Sequence, residues 1–376
     1  LPGVAAVILD EFHERSLASD LTLGLCKHLR ATKRPDLRLV VMSATLDMQT
    51  IGTWLACPCL SAQGRMYPVH IDYAAGASDA PVWERAAVAL RHWLDGGGQG
   101  DVLVFMSGTY EIRRSVEAIR ARLTPNDGTV DVLPLYGGLR PAQQDQAVAP
   151  GDHRKVIVST NVAQTSITID GIVCVIDAGL ARVARYDPAR GVNALLVENI
   201  SLASADQRAG RAGRTAPGSC LRLWPRAEAH ARAAHDTPEV QRVDLAEAVL
   251  QLAALGVRDA TEFAWLDPPP AERLAQAVTV LQSLDALDTH GRLTPRGRDM
   301  SRLSAHPRLA RLLCEAAHRG VGERAAIWAA LISERDICQR PLAPRYRQPP
   351  EHGWPSDLLV RETALEAARS ARFDPR

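Results

Sequence analysis

The sequence predicts an α/β protein in which parallel sheets precede a mainly helical region. Short apolar runs of strand length recur between residues 4 and 197, as expected of strands buried on both faces of a parallel sheet. Polar or charged residues follow several of these runs, and ligands bind at the carboxyl ends of parallel strands. From residue 227 onward, apolar residues recur with helical spacing, so we expect helices there.

Composition places the chain among ordinary globular proteins. Its 376 residues are 46% hydrophobic and 23% charged, which allows two or three domains with proper cores. The chain has 44 basic and 43 acidic residues, and its seven cysteines show no paired metal-ligand spacing. No apolar run approaches the length of a membrane span. We therefore expect a cytoplasmic protein with reduced thiols and no membrane segment.

Two adjacent carboxylates, Asp10 and Glu11, directly follow the first apolar run, Val4 to Leu9, and so lie at the end of a predicted strand. Asp10 can hold Mg²⁺ there, and Glu11 can orient or deprotonate an attacking water. The alternative is an acidic helix N-terminus, where carboxylates stabilise the helix dipole. Because a strand opens the chain at once and Leu1 is not a start methionine, we expect a fragment that begins inside a domain.

A second buried strand, Leu37 to Met42, ends in the small residues Ser43, Ala44 and Thr45. The distance from the first strand fits a βαβ crossover, with its helix near Leu17 to Leu29. Short hydroxyl side chains at a strand end can hydrogen-bond across a cleft or cap the following helix. Both alternatives stay open on these residues alone.

A second α/β unit follows a Gly-rich connector. We predict its strands at Val102 to Met106, Val130 to Leu135, Val156 to Ser159 and Val173 to Asp177. The segment Thr160 to Gly171 carries many short hydroxyl and amide side chains, which suit a grip on a phosphodiester backbone. Arg182 to Asp187 and Val192 to Val197 flank a turn, and this pattern predicts a β-hairpin.

The segment from residue 201 to 226 concentrates positive charge, with five arginines against one acid. Helical spacing would place Arg208, Arg211 and Arg214 on one face, close to Gln207. Guanidinium groups bind phosphate oxygens bidentately, so the segment predicts a phosphate site. The alternative is a solvated basic helix face. Two glycines inside a helix argue against it, because each costs about 1 kcal/mol and implies a packing or ligand contact.

Downstream, the sequence predicts helices and a short wing. The helical patterns are Val243 to Leu255, Ala271 to Leu284, Pro307 to His318 and Glu323 to Ser333. Thr289 to Thr294 is predicted to form a short hairpin, and Pro341 to Pro350 a linker. The helical patterns bury mainly Leu, Val and Ala, so we expect structural roles for them.

Four of these segments stand in the order of helicase motifs. They are Asp10-Glu11-Phe12-His13, Ser43-Ala44-Thr45, Thr160 to Gly171 and Gln207 to Arg214. In this order they resemble motifs II, III, V and VI of superfamily 2 DEAH-box helicases. The chain looks like the bacterial HrpB type within that family, which has Phe where the family name has Ala. Segments around 244–252, 265–270 and 293–297 resemble the winged-helix and ratchet regions, so the resemblance covers residues 1 to 340.

The resemblance implies a monomeric motor that binds ATP and Mg²⁺ between two RecA-like domains. Catalytic or nucleotide-binding roles are implied for Asp10, Glu11, His13, Thr168, Asp170, Gln207, Arg211 and Arg214, with the metal held by Asp10 and Glu11. Coupling of hydrolysis to unwinding is implied for Ser43 and Thr45. A grip on single-stranded RNA or DNA is implied for Thr160, Asn161, Thr165 and Ser166. The hairpin would help to separate strands.

The resemblance also implies a division of the chain into five segments. These are 1–75, the C-terminal part of the first RecA-like domain; 76–226, the second RecA-like domain; 227–292, a winged helix; 293–340, a ratchet-type helical segment; and 341–376, a linker and the start of a truncated region.

The chain departs from the family pattern at three points. Gln164 stands where many relatives have Glu, and Val148 where eukaryotic relatives place an aromatic residue that stacks on the nucleotide base. No G-x-x-x-x-G-K-[S/T] loop occurs, although the family uses that loop to cradle phosphates. We expect this loop to lie upstream, so that the fragment alone does not hydrolyse ATP.

The sequence therefore predicts the C-terminal part of a helicase that couples ATP hydrolysis to 3′-to-5′ movement on RNA or DNA. One alternative is a non-catalytic module that binds nucleic acid or a partner and retains the motor residues. Another is an NTPase that remodels protein–RNA complexes without unwinding them.

Overall fold

The computed structural model describes residues 3–44, 48–62, 67–164, 167, 169–334, 337 and 356–371. The chain divides into two compact units. The first comprises Leu1–Val243 and Ala264–Pro268, and the second comprises Asp244–Phe263 and Pro269–Arg376. Two parallel sheets and an antiparallel hairpin lie in the first unit, and the second unit is mainly helical. This architecture confirms the predicted fold class.

The first part of the first unit is a small parallel sheet. Its elements are β1 (Ala6–Leu9), α1 (Leu17–Thr32), β2 (Arg38–Val41) and α2 (Met48–Leu55). Strands β1 and β2 pair in parallel, and Ser16 caps the crossover helix α1 by accepting a hydrogen bond from the Ser19 amide. Phe12, Leu23 and Ile51 are buried together against this sheet. Both predicted strands and the predicted crossover helix are confirmed.

A six-stranded sheet dominates the rest of the first unit. The elements are β3 (Val69–Ala74), α3 (Val82–Asp95), β4 (Asp101–Phe105), α4 (Thr109–Arg120), β5 (Val130–Leu135), α5 (Pro141–Val148), β6 (Arg154–Ser159), β7 (Ile172–Asp177), β8 (Leu180–Asp187), β9 (Val192–Asn199), α6 (Leu202–Ala209), β10 (Gly218–Pro225) and α7 (Arg226–Ala229). The strand order is β3-β10-β7-β4-β6-β5, and every pairing is parallel. Strand β3 precedes residue 76, where the second domain was expected to start, but its pairing with β10 places it in this sheet.

The central strands are buried on both faces, as their continuous apolar runs predict. In β4, Val102 and Val104 pack into the core on one face of the sheet. Leu103 and Phe105 pack into a separate core on the opposite face. Because successive side chains of a strand point to opposite faces, a strand covered on both sides needs apolar residues throughout.

Strands β8 and β9 form the predicted antiparallel hairpin. Its turn is stabilised by Asp187, whose carboxylate accepts a hydrogen bond from the Ala189 amide at 3.0 Å. Gly191 closes the turn with a φ of 65°, a left-handed conformation that glycine adopts without steric cost. Four apolar side chains of β9 are exposed, namely Val192, Leu195, Leu196 and Val197.

The arginine-rich segment differs from the prediction of one continuous helix. Helix α6 ends before the second of the three spaced arginines, and a 3-10 turn (Gly210–Gly213) follows. The three arginines therefore do not share one helix face. Gly213, the last residue of this turn, is closely packed, because a Cβ at that residue would lie 2.6 Å from the carbonyl oxygen of Tyr67. This contact is the packing reason that the sequence predicted for a glycine here.

Arg208, the first of these arginines, lies in the core. Its side chain and that of Asp177 are 0% exposed, and Nη1 donates a hydrogen bond to the carboxylate at 2.8 Å. The guanidinium also lies 4.7 Å from the ring centroid of Phe105. Asp177 further accepts a hydrogen bond from the Gly179 amide at 2.8 Å. Arg208 thus anchors α6 to the end of β7 and is not available to a solvent-borne phosphate.

The second unit is built from short helices. They are α8 (Ala246–Ala254), α9 (Ala271–Ser283), α10 (Pro295–Met300), α11 (Pro307–His318), α12 (Gly322–Ser333) and α13 (Asp357–Ser370). The four predicted helices are confirmed. At the predicted wing, the backbone forms a single antiparallel bridge between Leu287 and Leu293. Arg324 ties α12 to α13 through two hydrogen bonds of 2.8 Å to Glu362.

Within the described ranges, no helix is long and apolar enough to cross a membrane. The six cysteines of those ranges are free. Cys174 lies inside the six-stranded sheet, where burial raises the pKa of its thiol to about 12. Such a thiol stays protonated and unreactive near neutral pH.

We expect Arg208→Met to destabilise the first unit by about 3 kcal/mol, because the substitution leaves the Asp177 carboxylate buried without a counter-charge. Urea unfolding followed by tryptophan fluorescence measures this change. Arg190→Met is the matched control, since Arg190 is 76% exposed and contacts Asp187 only at 3.6 Å. Equal stability of the two variants would contradict the anchoring role of Arg208.

We expect Gly213→Ala to cost about 1–3 kcal/mol through overpacking, because the added Cβ would meet the Tyr67 carbonyl and, at 2.8 Å, a methyl group of Val69. Gly137→Ala is the control, since a Cβ at Gly137 has open space around it. Thermal unfolding of both variants tests the difference. A Gly213→Ala protein as stable as the parent would show that the close approach is not needed.

Candidate functional site

The acidic turn after β1 is held in an unusual backbone conformation. Glu11 has a φ of 49°, which is uncommon for a residue other than glycine, and backbone strain of this kind clusters at active sites. The carboxylate of Asp10 accepts a hydrogen bond from the Glu11 amide at 2.8 Å. The next amide, that of Phe12, donates to the Met42 carbonyl at 3.0 Å, so the turn is tied to the end of β2.

His13 connects this acidic turn to helix α6. Its side chain is only 6% exposed, and Nδ1 lies 3.4 Å from a carboxylate oxygen of Glu11. Nε2 lies 2.7 Å from the side-chain nitrogen of Gln207, a residue 194 positions away in the chain. The backbone nitrogen of Ala44 lies 3.5 Å from Nδ1. The structure therefore brings together His13, Glu11 and Gln207, which the family resemblance had grouped.

Arg211 is buried in the 3-10 turn that follows α6. It is 6% exposed; Nη1 donates to the Ile167 carbonyl at 2.7 Å, and Nη2 donates to the carbonyl of Gln164. Burial and the nearby charge of Arg214 lower the pKa of Arg211 to about 10, and the charge of Glu11 opposes this shift. Glu11, Arg211 and Arg214 therefore lie within one another's electrostatic reach. An anion placed among them would relieve the repulsion between the two arginines.

An ion-pair cluster that sequence reasoning missed supports the acidic turn. Arg15 donates to the buried Asp20 at 2.9 and 3.1 Å and to Asp267 at 2.5 Å. Burial raises the pKa of Asp20, and Arg15 opposes the rise. Arg15 itself has a left-handed φ of 48°. No local pattern could have indicated this cluster, because Asp267 is 252 residues from Arg15.

The residues expected to grip nucleic acid follow β6. Thr160 follows the last residue of that strand, and Asn161 begins a 3-10 turn with an exposed side chain. Asn161 lines a cavity of about 720 Å³ together with His13, Gln207 and Arg182 of the hairpin, which is within the usual size of a ligand site.

Other predicted site residues lie away from this cluster or outside the described part of the chain. Asp170 lies in the exposed turn before β7, and the neighbouring Gly171 carbonyl accepts from the Asp101 amide at the start of β4. It is therefore at the opposite sheet edge from Thr160. Ser43 lies at the end of β2. Thr45, Thr165, Ser166 and Thr168 fall outside the described residues.

The donor chemistry fits a magnesium ion better than a structural metal. Within the described ranges, no group of three or more His, Cys, Asp or Glu side chains is placed to hold a metal. Mg²⁺ is usually bound by one or two carboxylates together with substrate phosphates and water. The exposed carboxylate of Asp10 and the half-buried one of Glu11 supply such a set.

Two family models match the chain. The helicase conserved C-terminal domain matches residues 86–216, and the winged-helix helicase-associated domain (HA2) matches residues 277–304. The ATP-dependent RNA helicase HrpB of Escherichia coli is 40% identical over 89% of the chain and 41% of its own length. The pre-mRNA-splicing factor ATP-dependent RNA helicase prp22 of Schizosaccharomyces pombe is 39% identical over 91% of the chain and 30% of its own length.

Solved structures show the same similarity. A crystal structure of the E. coli DExH-box NTPase HrpB matches 98% of the chain and 45% of that protein, with a TM-score of 0.81 and 37% identity. A second, of the E. coli DEAH/RHA helicase HrpB, matches 99% of the chain and 46% of that protein, with a TM-score of 0.82 and 36% identity. The chain thus spans less than half the length of these relatives. The chain therefore carries a helicase conserved C-terminal domain and an HA2 winged-helix domain, and it is similar to part of the DEAH/RHA helicase HrpB.

Proposed function

We propose that this chain supplies part of an ATP-hydrolysing site and acts within an ATP-dependent helicase that moves 3′ to 5′ along single-stranded RNA or DNA. The observation that carries the proposal is the 2.7 Å contact between His13 and Gln207. This contact joins the acidic turn of one sheet to the arginine-rich segment of the other. Carboxylates and guanidinium groups thereby face one site, as phosphoryl transfer requires.

Each residue of the site has a distinct role in this proposal. Asp10 holds the metal, and Glu11 orients the attacking water and accepts its proton. Arg211 and Arg214 stabilise the negative charge that develops on the transferred phosphoryl group. Burial is the main cause of the lowered pKa of Arg211, and the charge of Arg214 adds to it; an anion bound beside both arginines would offset both effects. His13 and Gln207 transmit the state of this site between the two sheets.

ATP and Mg²⁺ are the proposed substrate and cofactor. The ion would neutralise charge on the phosphates and lie against the Asp10 and Glu11 carboxylates. The 376 residues contain no G-x-x-x-x-G-K-[S/T] loop, so hydrolysis requires a phosphate-binding loop in addition to this chain. We therefore place the activity in the full-length protein.

The proposed path of the nucleic acid runs past the end of β6. Asn161 and Thr160 present neutral polar groups there, and Arg182 of the hairpin lines the same cavity as Asn161. Neutral donors that contact the backbone hold a strand without selecting its sequence. Ser43 stands next to Ala44, which approaches His13, and we propose that it couples hydrolysis to strand movement.

The competing function is a module that binds nucleic acid or a partner and has lost hydrolysis. Such a module can have the same arrangement of residues at the six-stranded sheet as an enzyme that hydrolyses ATP. The two functions differ at Glu11, because binding needs no water-orienting carboxylate whereas hydrolysis does.

We expect Glu11→Gln to lower ATP turnover by the full-length protein at least about 100-fold, the usual contribution of a general base, with ATP binding retained. Phosphate release with and without single-stranded RNA measures turnover, and a fluorescent ATP analogue measures binding. Glu117→Gln on the exposed face of α4 is the control for the loss of one carboxylate.

Turnover in the parent protein that RNA stimulates and Glu11→Gln abolishes supports the proposal. A parent that binds RNA but shows no turnover above background rules out the enzyme and favours the binding module. Turnover that survives Glu11→Gln would remove Glu11 from the catalytic role.

A further inference from the structure

A short turn at residues 239–242 contacts two parts of the first unit that are far apart in the sequence. Glu239–Gln241 form a 3-10 turn, which the amide of Arg242 closes by donating to the Glu239 carbonyl at 2.9 Å. Val240, inside the turn, is 0% exposed, so the turn is anchored in the core. None of the motifs identified in the sequence includes these residues.

Glu239 contacts the chain directly after the acidic turn. Its amide donates to the Arg15 carbonyl at 3.0 Å, and Oε2 of its carboxylate accepts from the Leu17 amide at 2.9 Å. Leu17 is the first residue of α1, where backbone amides have no partner within the helix and a negative charge is favourable. Glu239 therefore holds the end of the acidic turn at two points.

Arg242 contacts the hairpin. Strand β8 pairs with β9, and Arg242 meets two further backbone groups of β8. Its Nη1 donates to the Ala184 carbonyl at 2.6 Å, and its own carbonyl accepts from the Tyr186 amide at 2.8 Å. Backbone groups at the edge of a sheet need such partners, so Arg242 fixes the position of this part of β8.

The side chains of Glu239 and Arg242 also contact each other. Nη2 of Arg242 donates to Oε1 of Glu239 at 3.4 Å. These are not the atoms that hold Leu17 and Ala184, so each side chain binds its outer partner and the other member of the pair at once. Exposed fractions of 31% for Glu239 and 13% for Arg242 leave the pair only partly screened by water. The pair thus connects the acidic turn to β8.

The base of the hairpin has a separate anchor. Nη1 of Arg232 donates to the Gly179 carbonyl at 2.8 Å and to the Ile200 carbonyl at 3.1 Å, where β8 begins and β9 has ended. The contacts of Arg242 lie further along β8, toward the turn of the hairpin. Arg232 therefore fixes where the hairpin starts, and Arg242 fixes where its outer part lies.

We propose that Glu239 and Arg242 are positioning residues that hold the hairpin in a set place relative to the acidic turn. The inference rests on the proposed function in taking the acidic turn as the hydrolytic site and the hairpin as the element that separates strands. Within that function, a change of the acidic turn on hydrolysis reaches the hairpin through this pair. Neither residue acts on the reacting atoms.

Two substitutions break the pair at different atoms. Glu239→Gln keeps one oxygen for the Leu17 amide but turns an NH₂ group toward Arg242, and that group cannot accept a hydrogen bond. Arg242→Met removes the donors to Glu239 and Ala184 but keeps the backbone carbonyl that binds Tyr186. Because Glu239→Gln leaves the start of α1 capped, it is the milder of the two.

The matched controls are Arg114→Met and Glu117→Gln. Arg114 and Glu117 form an ion pair at 2.8 Å with the same three-residue spacing, but both side chains are exposed on α4. These variants lose the same chemical groups without touching the hairpin contacts of Arg242.

Hydrogen exchange of the full-length protein, resolved to single amides by mass spectrometry, tests the link without turnover. We expect the Tyr186 amide to exchange at least about tenfold faster in Glu239→Gln than in the parent, as loss of one hydrogen bond to a charged group allows. Unchanged exchange in β4 would show that the six-stranded sheet stays folded. A Tyr186 amide that exchanges as slowly in Glu239→Gln as in Glu117→Gln would overturn the proposal.

Unwinding of an RNA duplex by the full-length protein, divided by the ATP it hydrolyses, is the second readout. We expect Glu239→Gln and Arg242→Met each to lower this ratio at least about tenfold, whereas a merely structural loss lowers unwinding and turnover together. The double variant should resemble the single ones, because all three break one link. A ratio equal to that of the controls, or additive losses in the double variant, would overturn the proposal. Faster exchange at Tyr186 in a protein without ATPase activity would sustain the link and refute the proposed function.

Discussion

The buried pair of Arg208 and Asp177 is the interaction on which the rest of the site depends. It joins α6 to the end of β7 in a place that water does not reach. A buried ion pair contributes little net stability compared with apolar packing, but breaking it is costly. Its main effect is therefore on specificity, since α6 has one acceptable position.

Rigid sheets hold the polar residues of the site at their edges. The strained turn at Glu11 is held by the buried ring of Phe12 and by a backbone hydrogen bond to the end of β2. The second sheet presents Gln207 to this turn through α6. Each sheet has its own core, and the contact of His13 with Gln207 between them is polar. Such a contact can be remade when a ligand changes the relative free energies of two arrangements.

The parts of the fold that local patterns determine could be predicted from the sequence. The apolar run of β4 and the helical spacing of α9 are examples. A strand buried on two faces has a continuous apolar run, and a helix buried along one stripe has apolar residues at helical spacing. The close approach of Gly213 to Tyr67 could not be predicted, because its partner lies 146 residues earlier in the chain. The burial of Arg208 could not be predicted either. The even spacing of the arginines is the same whether an arginine binds a phosphate or a carboxylate in the core.

The contact of Arg15 with Asp267 also bears on how the chain folds during synthesis. The two residues are 252 positions apart, and Leu266 packs into the same core as Phe12. Domains fold largely as units while the ribosome extends the chain. The six-stranded sheet can form as soon as β10 has emerged, but the acidic turn gains its last partners only after Asp267 is made. The residues proposed for hydrolysis are therefore among the last of the first unit to reach their final surroundings.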